Sequence, residues 1–169
     1  MFYGEVFKAL NKARVKYVVA GGVAVVLYGY MRYTKDLDLI VHLEEKNLNK
    51  LFDTLFQIGY SPKVPVTKEQ FIDKKNRKKW QKDKGMIVFS FYHAKDPFKA
   101  IDMFIEEPIK FTSLYEKRVK VRDEGIVVPL ISLDHLRILK QRAGRPHDLE
   151  DLFQLNAVRK FKNKKRKND

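Results

Sequence analysis

Residues 17–41 read YVVAGGVAVVLYGYMRYTKDLDLIV and hold two apolar runs with a pair of glycines between them. Residues 15–20 (VKYVVA) predict a short buried strand, and residues 23–28 predict a small apolar helix. Gly21 and Gly22 lie at the junction, where missing side chains would let backbone N–H groups and a helix N-terminus approach an anion. Taken alone, a glycine pair after a strand is usually an ordinary tight turn.

Two acids, Asp36 and Asp38, follow in a second predicted strand, residues 36–41 (DLDLIV). Because strand side chains alternate between faces, both carboxylates point the same way and the intervening leucines face the core. Two like charges so close repel each other, and a partly buried pair is unfavourable without a cation. Hard cations such as Mg²⁺ take carboxylate oxygens. The pair therefore predicts a divalent-metal site, unless solvent or Arg32 and Lys35 neutralise both acids.

Asp102 is the best candidate for a third acid in the same site. It lies in the apolar run 100–105 (AIDMFI), where an unpaired carboxylate would cost free energy. The alternative is a structural ion pair with one of the many lysines.

These segments together resemble the signature of the nucleotidyltransferase superfamily. In that signature a Gly-Gly or Gly-Ser turn precedes an Asp-x-Asp or Asp-x-Glu pair, and a third acid lies on a neighbouring strand. The longer pattern here, Gly-Gly-Val-Ala followed by Arg-Tyr-Thr-Lys-Asp-Leu-Asp, is similar to AbiEii-type and related uncharacterised minimal nucleotidyltransferases. Residues 139–152 (LKQRAGRPHDLEDL) are also similar, so the resemblance extends over residues 17–153.

The resemblance implies a mixed α/β fold: a small mixed β-sheet flanked by helices, with the acids on adjacent strands and a helical pair at the C-terminus. It implies that a hydroxyl attacks the α-phosphorus of a nucleoside triphosphate and that pyrophosphate leaves. Asp36 and Asp38 would hold Mg²⁺ or Mn²⁺ on the triphosphate. Asp102 would hold a second metal ion and help to deprotonate the acceptor hydroxyl. Gly21 and Gly22 would bind the β- and γ-phosphates.

Two further residues are candidates for nucleotide binding. Lys140 matches the lysine of the C-terminal family motif and could reach a phosphate, or it could be a solvated helix residue. Thr34 could touch substrate or cap the turn into the Asp36 strand.

Composition narrows the compartment and the partners. There is no cysteine, which favours a reducing cytoplasm, and no apolar run approaches the ~20 residues that span a bilayer. The formal charge of +14 is concentrated at residues 74–84 (KKNRKKWQKDK) and 159–167 (RKFKNKKRK). Such an excess attracts anions: nucleotides, RNA or an acidic protein. Lysine-rich surfaces also serve solubility or ion-pair networks.

The 169 residues predict one domain, residues 1–161, in which a helical pair at about 132–161 packs on the sheet. Ser132 and Gly144 are expected to cap the first helix of this pair, residues 133–143, and Pro146 to begin the second. Strands are also expected at 86–92 and 99–105, joined by a turn at Asp96-Pro97. Residues 162–169 are expected to form a basic, disordered tail.

The leading functional hypothesis is a metal-dependent nucleotidyltransferase that acts on RNA, protein or a small molecule. The alternative is a catalytically silent binding module with the same fold, such as one component of a toxin–antitoxin pair. A third hypothesis is an electropositive nucleic-acid binder whose aspartates are incidental.

Overall fold

The computed structural model describes the backbone of residues 2–168 and the side chains of residues 2–157 except Pro97. Its strands are β1 (Tyr17–Val19), β2 (Asp36–Val41), β3 (Tyr60–Pro62), β4 (Val88–His93), β5 (Asp96–Phe104), β6 (Val119–Asp123) and β7 (Ile126–Leu130). Its helices are α1 (Gly4–Lys12), α2 (Gly21–Leu27), α3 (Glu45–Gln57), α4 (Lys68–Ile72), α5 (Lys74–Lys84), α6 (Phe111–Glu116), α7 (Leu133–Ala143) and α8 (Pro146–Asn168). The expected mixed α/β architecture is confirmed.

All seven strands form one mixed sheet in the order β3-β4-β5-β2-β1-β7-β6. The central strand β2 is antiparallel to β1 and parallel to β5. Strand β4 is antiparallel to β5, which makes the pair a hairpin on one side of the sheet. This order places the two acid-bearing strands, β2 and β5, next to each other, as the resemblance implied.

The β4–β5 half of the sheet has one packed face and one open face. Phe89, Phe91, Ile101 and Met103 point to the packed face and are at most 1% exposed. The aromatic rings of Phe52 in α3 and Phe71 in α4 contact this face. Side chains at the alternate positions are partly or fully exposed, with Tyr92 at 46% and Phe98 at 64%. The open face is the one that carries Asp102, because residues 98, 100 and 102 alternate with the buried positions.

The C-terminal helical pair has the predicted limits. Ser132 caps α7, since its Oγ accepts the His135 N–H at 3.4 Å, and Gly144 ends the helix in the left-handed conformation. Helix α8 begins at Pro146, where a missing N–H costs no helical hydrogen bond. Its backbone runs to Asn168, whereas the side chains from residue 158 onwards lie outside the described part. A disordered tail at residues 162–169 therefore stays a prediction, as does the single-domain boundary at 161.

Two local expectations differ from the structure. The glycine pair lies inside the first turn of α2 and not in a separate loop. The turn between β4 and β5 is at Ala94–Lys95, because the strand already resumes at Asp96. The structure also contains two elements that the sequence did not predict: the basic run 74–84 is the regular helix α5, and residues 60–62 form strand β3. Within the described residues, no helix is long and apolar enough to cross a membrane.

Candidate active site

The strand register brings the acids of β2 and β5 together. Asp38 is the direct partner of Asp102 in the parallel pair, and Asp36 is the partner of Ala100. All three carboxylate residues lie on one face of the sheet and are partly exposed, whereas Leu37 between the first two is fully buried. The sheet thus brings Asp102 onto the same surface as two acids that lie more than sixty residues before it in the sequence.

Helix α2 begins directly against the Asp38 carboxylate. A Cβ atom added at Gly21 would lie only 1.7 Å from Asp38 Oδ2, and Gly21 has a positive φ of 60°. Both features require glycine, since a side chain would occupy the position of the carboxylate and the left-handed backbone disfavours other residues. The Gly22 N–H donates a hydrogen bond to Asp38, which lowers the pKa of that acid. Gly21 therefore makes room for a side chain of the protein itself.

Gly22 has a comparable role towards Thr34. A Cβ at Gly22 would lie 2.4 Å from Thr34 Oγ1 and 3.5 Å from the guanidinium carbon of Arg32. The loop before β2 therefore folds over the start of α2, and it places the Thr34 hydroxyl against Gly22, one residue after the glycine that the Asp38 carboxylate approaches. Four of the predicted site residues, Gly21, Gly22, Thr34 and Asp38, lie within one small region.

Burial and mutual repulsion raise the pKa values of both β2 acids. The pKa of Asp38 rises to about 6, mainly because the carboxyl is buried and then because Asp102 lies close; Lys140 and the Gly22 N–H partly offset the rise. The pKa of Asp36 is raised by burial and by Asp102, against the opposing charges of Lys35 and Lys63. The nearby lysines therefore do not fully neutralise the two acids. This result argues against the alternative in which basic side chains neutralise both of them.

Ser90 holds Asp102 in place. Its hydroxyl donates a 2.6 Å hydrogen bond to Asp102 Oδ1, across the β4–β5 pairing in which the two residues are direct partners. Ser90 is not among the residues predicted from the sequence, although a signal exists. It is the one small polar residue in the run MIVFSFY, and because side chains alternate along a strand its position falls on the open face. Among the residues whose side chains the structure describes, no lysine lies within ion-pair distance of Asp102, so the expected alternative of a lysine ion pair is not observed there.

Lys140 lies in a buried charged cluster beside the site. Its Nζ lies 2.8 Å from Asp148 Oδ1 and 2.7 Å from Asp151 Oδ2. Arg145 also pairs with Asp148, and Arg32 pairs with Asp151 at 2.5 Å. Lys140 is therefore not a solvated helix residue. The cluster joins α7 and α8 to the loop that carries Thr34, while the charge of Lys140 still acts on Asp38.

Tyr3 fixes the end of the two acid-bearing strands. Its hydroxyl donates to the carbonyl of Lys35 at 2.7 Å and to that of Ala100 at 2.8 Å, one residue before Asp36 and two residues before Asp102. Burial, with a further contribution from the acids, raises its pKa to about 12. Nothing in the N-terminal sequence pointed to this contact, which depends on where α1 packs in the folded chain.

The three acids fit a hard cation by chemistry, but they do not form a complete set of metal ligands. In the part of the chain that the structure describes, no three acidic or histidine side chains converge into a metal-binding group. The donors are nevertheless all carboxylate oxygens, and a divalent cation would favour the ionised forms that burial and repulsion disfavour at Asp36 and Asp38. Such a site leaves coordination positions for the phosphates of a substrate.

The acids lie apart from a groove on another part of the surface. That groove, of about 550 Å³, is lined by residues such as Lys8, Tyr17 and Arg118. Tyr17 pairs with Val41, at the opposite end of β2 from Asp36, so the groove is remote from the acids.

Comparison with known proteins agrees with this geometry. Residues 5–161 match the model of a protein family described as nucleotidyltransferase of unknown function (DUF6036). A search of curated proteins gave no significant match. The superfamily expected from the motifs is therefore confirmed, while the AbiEii-type branch within it stays a prediction.

Several solved structures share the fold. The lincosamide antibiotic adenylyltransferase LnuA, solved with lincomycin bound, has a TM-score of 0.59 at 17% identity, over 93% of this chain and 94% of that one. ANT(2")-Ia in complex with adenylyl-2"-tobramycin has a TM-score of 0.57 at 12% identity, over 97% and 96%. An antigenic nucleotidyltransferase-like protein from Paracoccidioides brasiliensis has a TM-score of 0.56 at 17% identity, over 91% and 73%. The chain belongs to the family of nucleotidyltransferases of unknown function, enzymes of the class that transfers a nucleoside monophosphate.

Proposed function

We propose that the protein transfers a nucleoside monophosphate from a nucleoside triphosphate to a hydroxyl group of an acceptor and releases pyrophosphate, with Mg²⁺ or Mn²⁺ as the cofactor. The observation that carries this proposal is the register of β2 and β5, which sets Asp38 beside Asp102 with Asp36 on the same face. The fold and the family indicate the reaction class, and the three acids indicate where on the protein the reaction would occur.

Asp36 and Asp38 would hold the cation through carboxylate oxygens. The cation would neutralise charge on the triphosphate and on the leaving pyrophosphate. Asp38 is suited to a fixed position, because Gly21 leaves space for its carboxylate and the Gly22 N–H donates to it. Asp36 lies close enough to Lys35 and Lys63 for their charges to oppose the rise of its pKa.

Asp102 would take the proton from the acceptor hydroxyl. Ser90 donates to Oδ1 of this residue, which orients the carboxylate and leaves Oδ2 to accept the proton. The hydroxyl oxygen then forms a bond to the α-phosphorus, and the bond from that phosphorus to the bridging oxygen breaks. Pyrophosphate carries away the electron pair, so the reaction is balanced without any redox partner.

The remaining predicted residues would act on the triphosphate. Thr34 Oγ1 would donate to a phosphate oxygen, and the start of α2 at Gly21 and Gly22 would contribute its partial positive charge. Lys140 would act on the phosphates through its charge, since Asp148 and Asp151 hold its Nζ. The acceptor would enter over the open face of β4 and β5, where Tyr92 and Phe98 are exposed.

Label transfer from an α-³²P-labelled nucleoside triphosphate to cellular RNA or protein, or to hydroxylated small molecules, tests the proposal. The wild-type chain should transfer label in the presence of Mg²⁺ or Mn²⁺, and Asp36→Asn/Asp38→Asn should not. Asp83→Asn/Asp123→Asn is the matched control, because it removes the same charge from exposed positions. Equal transfer by the wild type and the Asp36/Asp38 variant would contradict the proposal.

One observation favours a second function, a catalytically silent binding module that could belong to a toxin–antitoxin pair. The acids do not converge into a complete ligand set in the described residues. A silent module would bind a nucleoside triphosphate or a partner protein without transferring label to any acceptor. Binding of the nucleotide with no release of pyrophosphate would therefore select this second function over the first.

A further inference from the structure

Helix α5 is fixed to the body of the protein along one side by an unusual anchor. Arg77 is 3% exposed, and it donates hydrogen bonds to the carbonyls of Phe71 at 2.7 Å, Ile72 at 2.8 Å and Ile105 at 3.1 Å. Trp80, one turn later, packs its ring against that of Phe71 at a centroid distance of 6.3 Å. These contacts fix which side of α5 faces the protein and which faces solvent.

The opposite side of α5 consists of lysine alone. At about 100° per residue, the residues within an arc of roughly 140° facing away from the anchor are all lysines, and all are exposed. We call this surface the α5 lysine face; its members are Lys74, Lys75, Lys78, Lys79 and Lys82. Successive lysines on each side of the face are about 6 Å apart along the helix axis.

These charges are not compensated within the protein. Among the residues whose side chains the structure describes, no carboxylate lies within ion-pair distance of the α5 lysine face, whereas Lys68 pairs with Asp53 and Lys99 pairs with Glu5. Like charges three and four residues apart destabilise a helix, and lysines in the first turn oppose the helix dipole. An ion-pair network would need carboxylates beside these lysines. The ion-pair explanation of the basic composition therefore does not apply to α5.

We propose that the α5 lysine face binds the phosphate backbone of a nucleic acid, independently of its base sequence. A row of lysine ammonium groups on a fixed helix can neutralise successive phosphates and release their counterions. An acidic protein is the less suitable partner, because protein interfaces are depleted in lysine and centre on aromatic and apolar side chains. The α5 lysine face has no such side chain within its arc.

This inference does not depend on the acids of the site, so it can be tested separately from nucleotidyl transfer. The probe is a short fluorescein-labelled oligouridylate, and fluorescence anisotropy follows its binding to the full chain over a range of salt concentrations, without nucleotide or divalent cation. The test variant is Lys78→Ser/Lys82→Ser. The control is Lys46→Ser/Lys50→Ser, which removes an exposed lysine pair of the same spacing from α3.

We expect binding that weakens steeply with salt. The slope of log affinity against log salt should become shallower by roughly 1.4 in the α5 variant, since each lost phosphate contact on a single strand contributes about 0.7. The α3 variant should keep the wild-type slope. Circular dichroism should show that both variants are folded, as all four positions are exposed.

Three results would overturn the inference. The first is no binding of oligouridylate at low salt, and the second is an equal loss of slope in the α3 and α5 variants, which would indicate diffuse charge. The third is a poly-glutamate peptide of equal charge that displaces the oligouridylate at equal concentration, which would indicate an acidic protein partner. Label transfer without oligouridylate binding would leave the proposed activity intact, and Asp36→Asn/Asp38→Asn should bind oligouridylate at least as well as the wild type.

Discussion

At the scale of single residues, Asp38 shows how the fold accepts an unfavourable group at the candidate site. Its pKa of about 6 lies well above its ordinary value of 3.8, so the native state disfavours the ionised form. Between about pH 4 and pH 6 the folded protein holds a proton that the unfolded chain has already released. Stability contributed by this group is therefore present below pH 4 and is lost as the pH rises through 6.

Asp38→Asn should consequently stabilise the metal-free protein above pH 6 and abolish transfer. The gain should be on the order of 1–3 kcal/mol at pH 8, since the amide keeps the shape and the Gly22 hydrogen bond without the charge. Urea unfolding at pH 4 and at pH 8 measures it. A gain that is equal at both pH values would show that the buried charge is not the cause.

Gly21→Ala should be far more damaging than the same change at Gly85. Both glycines have a φ of +60°, but a Cβ at Gly85 meets nothing within 4 Å, whereas one at Gly21 would overlap Asp38 Oδ2. Gly85→Ala should therefore cost only the left-handed strain of about 1 kcal/mol. Gly21→Ala should cost more and also displace Asp38, which unfolding experiments and label transfer measure together. Equal effects of the two variants would mean that the close approach of Asp38 has no role.

At the scale of elements, the Lys140 cluster connects α7 and α8 to the loop that precedes β2. Lys140→Met would leave Asp148 and Asp151, both at most 1% exposed, without their shared cation. The expected loss of stability is about 2–3 kcal/mol, below the roughly 3–5 kcal/mol of a buried charge left without any partner, because Arg145 and Arg32 still pair with the two acids. Arg137→Met on the same helix removes a more exposed charge, 3.8 Å from Asp134, and should have a much smaller effect. Denaturant unfolding of the two variants compares them, and similar losses would contradict a structural role for the cluster.

The elements also show why some segments were predictable and others were not. The limits of α7 followed from Ser132 and Gly144, because capping residues act locally and are visible in the sequence. Helix α5 lacks an apolar period, since its anchor is Arg77 bonded to carbonyls that the folded chain supplies. Strand β3 has three residues and depends on pairing with β4. Tertiary contacts, and not local propensity, decide these two elements.

At the scale of the whole molecule, the sequence indicated which residues could form the site but not how they meet. The spacing of Asp36 and Asp38 on a strand requires only the alternation of side chains, so it was predictable. The pairing of Asp38 with Asp102 depends on a parallel register between strands separated by three helices, β3 and β4. No local signal encodes that register. Ser90 is visible in the sequence only as a polar residue inside an apolar strand, and its partner Asp102 could not be predicted without the register.

Calorimetry of a nucleoside triphosphate with Mn²⁺ tests most directly whether Asp36 and Asp38 hold a metal–triphosphate complex. The wild-type chain should bind the nucleotide in the presence of Mn²⁺ and lose most of that affinity in EDTA. Asp36→Asn/Asp38→Asn should show the same loss with Mn²⁺ present, whereas the control Asp83→Asn/Asp123→Asn should bind like the wild type. Binding that is unchanged in the Asp36/Asp38 variant, or that does not depend on Mn²⁺, would contradict the account.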